Sequence, residues 1–212
     1  MPFAEKYGVV LIAPLFPQDR FPDYQRLGRS NKGARSDLAL NRIIDEVGFL
    51  TGADSKKLFL FGYSGGAQFV HRYAMTFPQN VSGMVIAAAG WYTFPDYSVN
   101  YPYGLKNAGK LFGKPFNPEN LLDISTCVLV GDQDIARDSE LRKSNFIDQQ
   151  QGSNRMNRGK AWIQAMKSAA KTYYLNTAFD FRVLPRSNHS FSRCMDRGGM
   201  GRTVFKFLFE CV

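Results

Sequence analysis

Leu58-Phe59-Leu60-Phe61-Gly62-Tyr63-Ser64-Gly65-Gly66-Ala67-Gln68-Phe69-Val70 carries an apolar run into a Gly-x-Ser-x-Gly turn and out into a helix-forming segment. A strand that reverses this tightly into a helix strains its turn residue. Gly62 and Gly66 are therefore expected to lack side chains so that the two elements can pack closely. The pattern predicts a nucleophile elbow with Ser64 at its tip. Its hydroxyl lies near the helix N-terminus, where unpaired N–H groups favour a developing anion. The bland reading of the same letters is a tight turn with an idle serine; the strand before and the helix after favour the elbow.

A serine hydroxyl needs a base, and the base needs a carboxylate to orient it. The chain has two histidines. His71 lies on the same predicted helix as Ser64, about two turns along, too far to reach back, and reads as structural or surface. His189 sits in the polar loop Arg186-Ser187-Asn188-His189-Ser190-Phe191 after the strand-like Phe181-Arg182-Val183-Leu184-Pro185. That is where a base serving Ser64 belongs. The carboxylate is expected at another strand end, and Cys127-Val128-Leu129-Val130 runs into Gly131-Asp132-Gln133-Asp134, with Asp138 following. Asp134 is favoured because it lies far enough past the strand to curl toward a neighbouring strand end. Asp132 is expected to cap its own turn, and Asp138 to serve as an N-cap or first-turn acid of a following helix.

With 212 residues, 44% of them hydrophobic, the chain suits a single domain over 1–212. Lys and Arg number 27 against 18 Asp and Glu, a formal net charge of +9, which attracts anionic partners. The basic residues are spread: Arg26, Arg29, Lys32 and Arg35 in one loose group, Arg137, Arg142 and Lys143 in another, Arg155, Arg158 and Lys160 in a third. No nucleic-acid reading motif accompanies them, so no nucleic-acid partner is expected. No run is long enough to span a bilayer. Residues 1–6 lack the order of a secretory signal, which leaves the compartment unknown, or cytoplasmic if Met1 is the true start. Three cysteines make no full disulfide framework; Cys127 reads as core, and Cys194 and Cys211 are close enough in sequence to pair in an oxidising compartment. No metal-ligand spacing is present, and no cofactor is expected.

Apolar runs alternate with helical patterns, predicting an α/β fold: a mostly parallel sheet with helices on both faces. Expected strands are Val9–Ala13, Leu58 to the elbow, Met84–Ala89, Cys127–Val130 and Phe181–Leu184. Leu40, Ile43, Ile44, Val47 and Leu50 form one helical stripe. Trp162, Ala165, Met166, Ala169 and Tyr173 form a second, and Val204, Phe205, Leu208 and Cys211 a third. A short insertion at about 91–120 is rich in aromatic residues, and Trp91 and Tyr63 are the candidates for lining a substrate pocket. The alternative is that these rings only pack the loop down.

Gly62-Tyr63-Ser64-Gly65-Gly66, Gly131-Asp132-Gln133-Asp134, Gln151-Gly152-Ser153-Asn154-Arg155 and Ser187-Asn188-His189-Ser190-Phe191 together resemble the α/β-hydrolase family. The narrower likeness is to bacterial esterases similar to polyhydroxybutyrate depolymerases and feruloyl esterases. The resemblance implies serine-dependent hydrolysis of small or aromatic carboxylic esters through an acyl-enzyme. Ser64 is then the nucleophile, His189 the base, Asp134 its orienting acid and the N–H of Gly65 an oxyanion donor. It also implies an upstream strand and a His-Gly loop that supplies a second donor. Residues 2–8 match the tail of the helix after that loop, so an N-terminally truncated form lacking the first strands, with weak or no activity, is expected. The alternatives are a non-catalytic hydrolase-fold binding protein, or an amidase, peptidase or acyltransferase using the same residues. The oligomeric state is left open.

Overall fold

The computed structural model describes residues 2–28, 33–113 and 116–211. Arg29 and Lys32 of the first basic group, and residues 114–115 of the insertion, lie outside them. In chain order the elements are α1 (Pro2–Tyr7), α2 (Ser36–Thr51), β1 (Leu58–Tyr63), α3 (Gly65–Thr76), β2 (Val81–Ala87), α4 (Ala108–Phe112) and α5 (Pro118–Leu122). They continue as β3 (Thr126–Gly131), α6 (Asn145–Gln151), α7 (Arg155–Thr172), β4 (Phe179–Leu184), α8 (Phe191–Asp196) and α9 (Met200–Glu210).

The strands form one four-stranded sheet in the order β1-β2-β3-β4, every neighbouring pair parallel. Side chains alternate across it. Met84, Ile86, Val128 and Val130 pack with Leu40, Ile44, Phe69, Tyr73, Trp162 and Met166 of α2, α3 and α7. Val85, Ala87, Cys127 and Leu129 face the other way, onto Cys194 of α8 and Val204, Phe207 and Leu208 of α9. Both faces are covered, as a parallel sheet requires.

Val9–Ala13, expected as a first strand, is irregular backbone, with Val10 and Leu11 exposed at 49% and 56%. β-branched residues form a strand only where a neighbour takes up their backbone hydrogen bonds. Among the described residues no strand pairs with the outer edge of β1. In α2, Leu40 and Ile44 are buried, while Leu50, expected on the buried stripe, is 70% exposed in the last turn. In α9, Val204 and Leu208 are buried, whereas Phe205 stacks on Phe3 and Tyr7 of α1. Cys211 is exposed, and all three cysteines are free. No described helix is long and apolar enough to cross a membrane.

Candidate active site

β1 delivers the chain into the elbow. Ser64 adopts φ 52° and ψ −111°, a left-handed φ that costs a non-glycine residue free energy and is held by its surroundings. Its N–H donates to the Ala87 carbonyl at 2.8 Å, and its own carbonyl accepts from Gln68 N at 3.2 Å. The strand and the first turn of α3 are thus tied from both sides. The glycine requirement differs from that expected. A Cβ on Gly62 would collide with the backbone of Gly66, and one on Gly65 would lie 2.5 Å from the Tyr24 hydroxyl oxygen. One on Gly66 would meet nothing within 4 Å. Gly62 is sterically demanded; at Gly65 the ends of the Tyr24 and Gln25 side chains would have to move aside, and Gly66 is open.

β3 and β4 bring the other two side chains to the same edge of the sheet. Gly131 abuts the Ser187 carbonyl so closely that a Cβ would not fit. Asp132 bonds the backbone of its own turn, at Asp132 and Gln133, as expected, and also reaches across to the histidine loop. Its carboxylate accepts from the N–H groups of Arg186 and Ser187, each at 2.9 Å, clamping the histidine loop to the end of β3. These backbone donors hold the Asp132 carboxyl below its ordinary pKa. In the clamped geometry His189 Nδ1 lies 2.9 Å from Asp134 Oδ2, and His189 Nε2 lies 3.1 Å from Ser64 Oγ. An ionised Asp134 only accepts, so Nδ1 carries the proton and Nε2 turns its lone pair to the serine.

Asp134 is 2% exposed, and the sequence offered no counter-charge for it. The counter-charge is Arg155, at the start of α7 and 1% exposed. Its Nη1 lies 3.2 Å from Asp134 Oδ1 and 2.6 Å from Asp138 Oδ2, and its Nη2 lies 3.1 Å from Asp138 Oδ1. Burial alone would lower the Arg155 pKa, but Asp138 and Asp134 outweigh it and raise it. In return the Arg155 hydrogen bonds hold the Asp138 carboxyl down to about 2. Asp138 does not start a helix: it accepts from Leu141 N at 2.8 Å within a turn, and α6 begins later, capped by Ser144. Gln151, four residues before Arg155, brackets the Tyr92 backbone, accepting from its N–H at 2.8 Å and donating to its carbonyl at 3.0 Å. The Gln151–Arg155 segment was visible as a motif, but its role was not, because its partners are remote in sequence.

Trp91 leaves β2 into an open cleft of about 340 Å³ that it lines together with Ser64, Gly65, Gln25 and Gln68. Tyr63, expected there as well, does not line the cleft. Its ring stacks on the His189 imidazole with centroids 5.4 Å apart and meets Phe191 edge-on, so it backs the imidazole; burial raises the pKa of its hydroxyl. Of the other aromatic residues in the insertion, Tyr92 and Phe94 turn into the core, and the Tyr101 hydroxyl donates to the Arg26 carbonyl at 2.9 Å. His71 is 1% exposed. Its Nδ1 meets the Ala67 carbonyl at 2.9 Å, and its Nε2 accepts from Thr93 N at 3.1 Å. Burial and the adjacent Arg72 hold its pKa well below the usual histidine range. Among the described residues no group of three or more His, Cys, Asp or Glu side chains could hold a metal ion.

No family model and no curated protein matches the chain. Solved structures do. Poly(aspartic acid) hydrolase-1 from Sphingomonas sp. KT-1 superposes with a TM-score of 0.79 at 24% identity, covering 98% of this chain and 80% of that one. A poly(3-hydroxybutyrate) depolymerase from Bordetella parapertussis superposes with a TM-score of 0.76 at 24% identity, covering 100% and 72%. An S-formylglutathione hydrolase from Agrobacterium tumefaciens is more distant, with a TM-score of 0.50 at 14% identity over 87% and 63%. The chain has the fold of these hydrolases, an α/β-hydrolase-type parallel sheet flanked by helices.

Proposed function

We propose that the chain is a serine hydrolase that cleaves small or aromatic carboxylic esters through an acyl-enzyme on Ser64. The observation that carries this reading is the unbroken hydrogen-bonded series Ser64 Oγ, His189 and Asp134, with contacts of 3.1 and 2.9 Å. Ser64 Oγ adds to the substrate carbonyl carbon while its proton passes to His189 Nε2. The carbonyl oxygen becomes an anion facing the Gly65 N–H at the start of α3. Asp134 keeps the proton on Nδ1 and stabilises the imidazolium, and Arg155 keeps Asp134 in place. The imidazolium then protonates the departing alcohol. Water, deprotonated by the freed imidazole, releases the acid. Trp91, 3% exposed, contributes only an edge to the cleft wall.

A fluorophosphonate probe tests the nucleophile. It is expected to label the native chain, to fail on Ser64→Ala, and to label His189→Ala far more slowly; equal labelling of native and Ser64→Ala, or of neither, overturns the reading and favours a binding protein. The same side chains serve amide hydrolysis, and the likeness to a poly(aspartic acid) hydrolase favours that as a second reading. Parallel assays on 4-nitrophenyl esters and poly(aspartic acid) separate the two.

A further inference from the structure

The short turn Tyr24–Arg26 is held against the elbow by each of its carbonyls. Ser36 Oγ donates to the Tyr24 carbonyl at 2.9 Å, Arg72 Nη1 to that of Gln25 at 2.7 Å, and the Tyr101 hydroxyl to that of Arg26 at 2.9 Å. The donors come from α2, α3 and the insertion. Leu27, directly after the turn, is fully buried, and the Tyr24 ring stacks on Phe16 with centroids 5.7 Å apart. Arg72 also donates to the Gln68 carbonyl at 3.0 Å, so one buried guanidinium ties the turn to the helix that begins at Gly65.

This anchoring sets the Gln25 side chain against the elbow. A Cβ on Gly65 would lie 2.7 Å from Gln25 Nε2 and 3.3 Å from its Cδ, so the amide presents its N–H end to the elbow and not its oxygen. Only the missing side chain at position 65 lets it come so near. Gln25, Ser64 and Gly65 line one cleft. Among the described residues the Gln25 side-chain amide takes part in no hydrogen bond, its bond to Arg72 being made by the main-chain carbonyl.

The chemistry at Ser64 has a use for that donor. As Ser64 Oγ bonds to the carbonyl carbon, the C=O π pair moves onto oxygen and the serine proton passes to His189 Nε2. The oxyanion that results faces the Gly65 N–H, which supplies one hydrogen bond. Donors fixed before the charge develops stabilise it without reorganisation, and a side-chain amide on a tethered turn meets that condition.

We propose that the side-chain amide of Gln25 is a second oxyanion donor, its Nε2–H and the Gly65 N–H binding the same oxygen of the tetrahedral intermediate. Gln25 is then a catalytic residue that lies outside the Gly-x-Ser-x-Gly motif. The nearest rival is the Tyr24 hydroxyl, 2.5 Å from the same Cβ position; Tyr24 is not among the residues lining the cleft. The inference rests on Ser64 being the nucleophile and deepens that reading by naming a group that takes up the charge.

The rate of fluorophosphonate labelling tests it without requiring turnover. Ser64 Oγ bonds to phosphorus, fluoride leaves, the proton goes to His189, and negative charge grows on the phosphoryl oxygen where the oxyanion would sit. Gln25→Met keeps the length of the side chain and removes the N–H. Gln25→Glu keeps its shape and puts a carboxylate in place of the donor. Gln25 is part-exposed, so both variants are expected to fold, as circular dichroism will verify. The maximal labelling rate should fall about a hundredfold in Gln25→Met, the size of one oxyanion donor, and at least as far in Gln25→Glu. The half-saturating probe concentration should change by less than about threefold, and kcat on 4-nitrophenyl acetate should fall with the labelling rate while KM holds. Tyr24→Phe should label within about threefold of the native rate.

A Gln25→Met rate within about threefold of native overturns the proposal, and a loss in Tyr24→Phe instead would assign the second donor to that hydroxyl. A loss confined to the half-saturating concentration, or one that Gln25→Glu restores, also overturns it, making Gln25 a binding or packing residue. In each of these cases labelling that depends on Ser64 leaves the hydrolase reading standing. No labelling of the native chain overturns both.

Discussion

Asp134 commits its two carboxylate oxygens to different partners, Oδ2 to His189 at 2.9 Å and Oδ1 to Arg155 at 3.2 Å. The first contact orients the imidazole; the second supplies the charge that makes a 2% exposed carboxylate tolerable. Breaking a buried pair by removing one partner leaves the other charge stranded. Arg155→Met is therefore expected to destabilise the fold by about 3–5 kcal/mol. Asp138→Asn should cost less, because its side chain is 33% exposed and water takes up part of the lost interaction. Urea unfolding of the two variants beside the native chain checks the order, and a smaller loss for Arg155→Met than for Asp138→Asn contradicts this account. Ser64 was legible at this scale because strand, turn and helix are its immediate neighbours in sequence. Arg155 was not, since its partners lie 21 and 17 residues away and only folding brings them within reach.

The elbow is an element-scale device, and its glycines are unequal. A side chain at Gly62 would run into the backbone of α3, whereas one at Gly66 points into open space. Gly62→Ala is expected to destabilise by about 1–3 kcal/mol, as an overpacked site does. Gly66→Ala, within the helix, should be neutral or stabilising by up to about 1 kcal/mol through reduced unfolded-state freedom. Thermal denaturation separates the two, and equal losses would show that the motif's symmetry in sequence does extend to its packing. The segments read correctly are those whose environment follows from their own pattern, such as Cys127–Val130 in a strand with buried faces. Val9–Ala13 has a strand-like pattern, but among the described residues no strand pairs with it, and the apolar stripe of α2 runs on to Leu50, which is exposed. Composition specifies a preference, and a neighbour must be present to realise it.

For the whole molecule, stability should depend on pH through His71, which ties α3 to the insertion from a fully buried position. Burial holds its folded-state pKa well below the usual value, so below about pH 6.5 the unfolded chain binds a proton that the folded chain does not. Stability should be level above that pH. As pH falls below it, stability should decline by up to about 1.4 kcal/mol per pH unit until the folded group itself titrates. His71→Gln should lower overall stability yet remove this slope. Urea titrations between about pH 5 and about pH 7.5 measure it, and a slope retained in the variant would assign the dependence to another group.

The sequence by itself determined the local decisions: an apolar strand ending at a glycine-flanked serine, a polar loop holding His189, an acid past Gly131, and alternating elements that suit a parallel sheet. Each depends on residues close in the chain, where pattern and backbone preference act directly. Only the tertiary structure decided what lies beside what. Ser64 and His189 are 125 positions apart in sequence, and they meet because β1, β3 and β4 run parallel and end on one edge of the sheet. Arg26, Arg72 and Arg142 appear as scattered charge along the chain, yet they surround a single indole in space. Electrostatic coupling depends on distance through the fold, which separation along the chain does not encode.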